Sequence, residues 1–234
     1  MDGWTSAAPI GRSRTAEFMA SVYRWMAFGL SLTGIVAWAV TSSPSLLSVF
    51  YQMDEAGNLH SAPAMWVALI AWFLLGVAFN PIAQRAAIGA AVGMFLTFCA
   101  LSGVVFSSIV FQYTQASIFT TLFVTGGAFF TLSVYGTVTK RSLDAWRSFL
   151  FMGLIGIVLA GIVNIFVRSS GLEFVLSCAG VLVFAGLTAY DTQKLRQLGE
   201  TGEERHALIG ALVLYLDFVN LFLFLLRFMG RRRD

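Results

Sequence analysis

Apolar residues run through this chain in long unbroken blocks, separated by short polar connections. Seven blocks reach or approach the length needed to cross a bilayer as a helix, about twenty residues: 22–41, 64–80, 86–110, 117–138, 147–167, 172–195 and 207–228. Within them apolar positions are continuous and not alternating, which excludes a transmembrane barrel, whose strands alternate with period two. The pattern predicts an all-α polytopic membrane protein of seven transmembrane helices. The polar residues 1–21 form a leader and 22–234 the membrane domain. The first block exceeds the roughly 7–15 apolar residues of a secretory signal, so it is read as a retained helix despite an Ala37-Trp38-Ala39 cleavage-like site.

All connections but one are short, which predicts antiparallel helix pairs. The exception, 44–63, carries Asp54, Glu55, Gly57, Asn58 and two prolines and reads as an acidic, turn-rich loop. Gly89 and Gly93, spaced as GxxxG, and Gly153, Gly156 and Gly161 are expected to let helices approach closely.

Composition and charge sharpen this picture. With 58% hydrophobic and 12% charged residues, the chain falls far from the soluble average of about 25% charged. Its basic residues cluster between the apolar blocks, where they set topology, so a nucleic-acid partner is excluded and the bilayer is the expected environment. With the N-terminus inside, ten basic residues fall on the inner side. Five fall outside: Arg168, Arg227, Arg231, Arg232 and Arg233. The bias predicts a cytoplasmic N-terminus. The three terminal arginines oppose it, and a re-entrant last segment would return them inside. Cys99 and Cys178 stand alone in apolar blocks, with neither disulfide nor zinc spacing.

Candidate chemistry is confined to the last two blocks. Each holds one carboxylate, Asp191 and Asp217. A charged side chain at mid-membrane depth costs roughly 2.5–3.5 kcal/mol on insertion scales, so such a residue marks a functional site, and here each aspartate is the natural partner of the other. Two carboxylates in one low-dielectric site resist ionising together and titrate as a unit. Ionised, they offer hard oxygens suited to transient calcium, with Asn220, three residues beyond Asp217 on the same helical face, adding another. The alternative is that each aspartate hydrogen-bonds a neighbour and locks helices together. Arg85, in the otherwise uncharged FNPIAQRAAIG, either pairs with an aspartate or snorkels to lipid phosphates.

These residues also carry a resemblance. LYLDFVNLFLFLLRF at 214–228, AYDTQKL at 189–195 and SGVVFSSI at 102–109 are similar to the motifs of the Bax inhibitor-1 (transmembrane BAX inhibitor motif) family in its bacterial branch. The resemblance implies a seven-helix fold with the last helix central, in the bacterial inner membrane. It implies a pH-sensitive calcium leak controlled by an aspartate dyad at Asp191 and Asp217, with Arg85 as a latch, no enzymatic activity and no cofactor beyond the permeant calcium. It also allows a regulator of membrane-protein quality control that docks on a membrane protease complex through residues 1–21. A retinal photoreceptor is excluded because neither lysine, Lys140 or Lys194, lies in the last block.

Overall fold

The computed structural model describes residues 10–55, 57–199 and 204–233. The first half of the leader and the charged tip at 200–203 lie outside the described residues. The chain is almost entirely helical: α1 (Ile10–Ser42), α2 (Pro44–Phe50), α3 (Pro63–Ala83), α4 (Ile88–Gln112), α5 (Gln115–Val138), α6 (Arg147–Val167), α7 (Ser170–Leu198) and α8 (Glu204–Met229). Among the described residues seven helices, all but α2, are long and apolar enough to cross a membrane, and they coincide with the seven blocks. Helix α1 starts at Ile10, twelve residues before the first block, so the second half of the leader continues the first helix.

Segment 44–63 is more ordered than a loop. After the short α2, β1 (Tyr51–Met53) and β2 (Leu59–Ser61) pair antiparallel with Tyr51 opposite Ser61. Asp54 closes the turn by accepting the Asn58 backbone N–H at 2.8 Å, and Gly57 adopts the positive φ (81°) that the turn needs.

The chain divides into two compact units, residues 1–25 with 125–224 and residues 26–124 with 225–234. In the second unit α3 and α4 pack through aromatic rings: Trp72 stacks on Phe98 with centroids 5.8 Å apart, and its indole N–H donates to Ser102 Oγ at 2.8 Å. Helices α1 and α4 meet at Gly103, where a Cβ would lie 2.6 Å from the Thr33 carbonyl oxygen. The hairpin is tied to α4 by Tyr51 and Ser107, whose hydroxyl oxygens are 2.8 Å apart and buried.

The chain's last residues return to the α4–α5 turn. Tyr113 and Arg232 form an antiparallel bridge, the Thr114 N–H donates to the Arg231 carbonyl at 3.1 Å and the Arg233 N–H to the Gln112 carbonyl at 2.9 Å. Since α8 is one unbroken helix of 26 residues, about 39 Å at 1.5 Å per residue, it is long enough for a full crossing. The terminal arginines share a side with the α4–α5 turn, as a seventh complete span requires and a re-entrant segment does not provide.

In the first unit α5, α6, α7 and α8 contribute the packing. Gly136 of α5 lies against the Ala189 carbonyl of α7, Gly153 of α6 against Val183, and Gly180 of α7 against the Phe224 ring of α8. Gly89, Gly93, Gly156 and Gly161 have no neighbouring atom within 4 Å of where a Cβ would stand. The GxxxG pair therefore does not mark a helix contact within the chain, and of the expected glycines Gly153 alone does. Helix α8 is the most enclosed span, with 56% of its most apolar window buried, against 6% in α6. The expectation for the last helix holds.

Candidate functional site

Helices α6, α7 and α8 line a partly open cavity of about 360 Å³. Its walls are apolar, formed by residues such as Leu154 and Ile157 of α6, Phe184 and Leu187 of α7, and Val213 and Phe224 of α8. Three polar side chains enter it: Asp191 from α7, and Asp217 and Asn220 from α8. Asp217 lies in the middle of α8, whose enclosed face carries Leu214, Leu221 and Phe224, so its carboxyl is drawn inside with them and is 5% exposed. Asp191 is half-buried near the end of α7.

The two carboxyl groups are neighbours in this cavity. Asp217 Oδ2 is buried and has no hydrogen-bond partner among the described residues. Asn220 donates one amide proton to the Leu216 carbonyl at 2.8 Å, which leaves its carbonyl oxygen and its second amide proton for the cavity. Among the described residues no cluster of three or more His, Cys, Asp or Glu stands ready for a metal ion. Three oxygen-bearing side chains in an apolar cavity can hold a proton, or cradle a partly hydrated cation briefly, but they fall short of the six to eight oxygens of a tight calcium site.

Arg85 occupies the turn between α3 and α4, exposed, with its backbone N–H bonded to the Ile82 carbonyl at 3.0 Å. Its guanidinium makes no ion pair among the described residues. It belongs to the second unit, whereas Asp191, Asp217 and Asn220 all belong to the first.

The residues just beyond Asp191 have a role that their spacing does not reveal. Thr192 and Gln193 are buried near the C-terminal end of α7, and Gln193 grips the α5–α6 connection at two points. Its amide donates to the Arg141 carbonyl at 2.9 Å, and its Oε1 accepts the Leu143 N–H at 2.8 Å. Lys194 adds an ion pair to Asp144 at 2.6 Å, and the Arg196 guanidinium donates to the Thr137 carbonyl. The only trace in the sequence is an unbroken polar run, Asp191-Thr192-Gln193-Lys194, longer than one membrane carboxylate needs. Its direction cannot be read without the turn it meets.

Residues 15–234 match the family model described as "Inhibitor of apoptosis-promoting Bax1". The chain is 41% identical to the inner membrane protein YbhL of Escherichia coli K12 over 229 residues, 95% of this chain and 94% of that protein. It is 42% identical to an uncharacterized protein of Deinococcus radiodurans, covering 93% and 91% of the two chains, and 39% identical to one of Borreliella burgdorferi, covering 93% of each. With a family match across nearly its whole length and bacterial relatives of equal extent, one of them an inner membrane protein, the chain belongs to the Bax inhibitor-1 family of integral membrane proteins.

Proposed function

We propose that this protein is a pH-sensitive cation leak, with calcium as the permeant ion, gated by the Asp191–Asp217 pair. The observation that carries the reading is the meeting of two carboxyl groups in one apolar-walled cavity within the membrane. Ionised carboxylates only accept hydrogen bonds, so two neighbouring carboxyls can be joined only while a proton lies between them. When that proton leaves, the two anions repel, and unit charges about 4 Å apart would do so by roughly 4 kcal/mol at an effective dielectric of 20. Two outcomes relieve this repulsion: separation of α7 from α8, or entry of a cation. A conducting site must bind its ion strongly enough to admit it and weakly enough to release it. Two carboxylates and an amide oxygen, without a complete ligand shell, suit that requirement.

The ten-to-five bias of basic residues supports a cytoplasmic N-terminus. The α5–α6 connection would then face the cytoplasm, and a cysteine at Ser142 labelled only from the outside would reverse that assignment.

The gating test is calcium flux into proteoliposomes of purified protein across pH. Asp→Asn nearly preserves shape while removing the ionisable group, so Asp191→Asn or Asp217→Asn should flatten the pH dependence. If a doubly substituted protein kept the parent's pH-dependent flux, the aspartates would be structural locks and the gating assignment would fail.

A further inference from the structure

A second cavity, of about 500 Å³, belongs to the other compact unit, and neither the gating reading nor the sequence motifs use it. It is lined by Thr114, Ala116, Ser117, Thr120 and Thr121 from the start of α5 and by Met229 and Arg231 from the end of α8. Four of its seven lining residues carry hydroxyls, one carries a guanidinium, and none is acidic.

Arg231 is not a loose terminal residue. Its N–H donates to Ser117 Oγ at 2.9 Å, its carbonyl accepts the Thr114 N–H, and the bridge from Tyr113 to Arg232 holds the next residue. The main chain of Arg231 is therefore fixed at the start of α5, where the residue lines the same cavity as the hydroxyls, and little backbone entropy remains to be lost when a ligand arrives. Ser117 Oγ already accepts from Thr114 Oγ1 at 3.0 Å, which leaves its own O–H to donate. A planar guanidinium flanked by hydroxyl donors matches the oxygens of a phosphate group. Arg227, Arg232 and Arg233 add positive charge to the same chain end.

We propose that this cavity binds a phosphate group, and that its source is the headgroup of an anionic phospholipid. The lipid source rests on position, since the cavity sits where two membrane-spanning helices, α5 and α8, have their ends. The arginine then acts at a defined seat and not merely as one more interfacial cation.

Native mass spectrometry of the full-length protein, titrated with phosphatidylglycerol or with diacylglycerol of the same acyl chains, reads retained lipid directly. Arg231→Gln keeps the backbone bonds that seat the tail, and it should weaken phosphatidylglycerol retention about tenfold. Thr120→Val, at an exposed position, should weaken it several-fold. Arg233→Gln removes the same charge from a residue that does not line the cavity and should change retention less than about twofold. Diacylglycerol, which lacks the phosphate, should bind poorly to every variant. Equal losses for Arg231→Gln and Arg233→Gln would overturn the site in favour of diffuse charge attraction. Displacement of phosphatidylglycerol by inorganic phosphate at equal concentration would overturn the lipid source.

Discussion

Gln193 offers the sharpest test of how Asp191 is held. Its side chain is 5% exposed and satisfies two backbone groups of the α5–α6 connection, the Leu143 N–H at 2.8 Å and the Arg141 carbonyl at 2.9 Å. Leu143 is itself buried in a cluster with Leu150, Ala189 and Tyr190, so its N–H has no water to turn to when Gln193 is lost. Leaving a buried donor unsatisfied costs about 1–3 kcal/mol, and losing the more accessible bond to Arg141 costs about 0.5–1.5. The sum is about 1.5–4.5 kcal/mol. Gln193→Met removes both bonds while nearly keeping the volume, which separates hydrogen bonding from packing. For a chain of this size that loss corresponds to a fall of roughly 3–18 °C in Tm. The assay is thermal unfolding of the detergent-purified protein, paired with hydrogen exchange at the Leu143 amide, which should lose protection. A Gln193→Met variant within about 1 °C of the parent, with Leu143 still protected, would refute the reasoning. Gln193 comes two residues after Asp191, so the pH midpoint of calcium flux is a second readout. A shifted midpoint means that the grip also positions Asp191, and an unshifted one confines Gln193 to the fold.

The packing dictates further outcomes. Gly103→Ala should lower thermal stability by about 1–3 kcal/mol, because the new Cβ would meet the Thr33 backbone carbonyl, which cannot rotate away. Gly89→Ala and Gly93→Ala should be neutral or stabilising by about 0.5–1 kcal/mol, since open space meets the methyl and the helix gains rigidity. Gly180→Ala should displace the Phe224 ring, which stacks on Phe184 at 5.7 Å and lines the dyad cavity; it should change flux while leaving Asp191 and Asp217 in place. If Arg85 is a latch, Arg85→Ala should raise basal calcium leak in proteoliposomes, and an unchanged leak in a folded variant assigns Arg85 to topology alone.

The seven spans were legible because membrane crossing imposes a length and a composition that no other constraint overrides, and both are local. Which face of each helix meets a neighbour was not, because it depends on helices distant in sequence. Gly89 and Gly93 have the same spacing as true contact pairs, yet both face open space, whereas Gly103, Gly136 and Gly180, in no such pair, meet backbone or ring atoms. The hairpin at 51–61 escaped because three-residue strands are too short to show alternation. The tail's return to the α4–α5 turn escaped because a single-residue bridge leaves no periodic trace.

The carboxylates were legible for the opposite reason: in an apolar chain, a buried charge has few places to go. Asp191 precedes the short α7–α8 connection and Asp217 comes after it, so antiparallel packing of two consecutive helices brings the two side chains toward one depth. The structure adds what neighbours them. A lone intramembrane aspartate can be satisfied by one hydroxyl or amide, and such partners are abundant in this unit, where Ser133, Thr188 and Thr192 are all buried. Yet those hydroxyls are absent from the walls around Asp191 and Asp217, which apart from Asn220 are apolar, and Thr188 spends its hydroxyl on the Phe184 carbonyl at 2.8 Å. An aspartate kept only as a helix lock would gain most from the very donors this cavity leaves out. With those donors outside the cavity lining, the carboxyls face each other and the cavity, which supports the proposed gating reading over the helix-lock alternative.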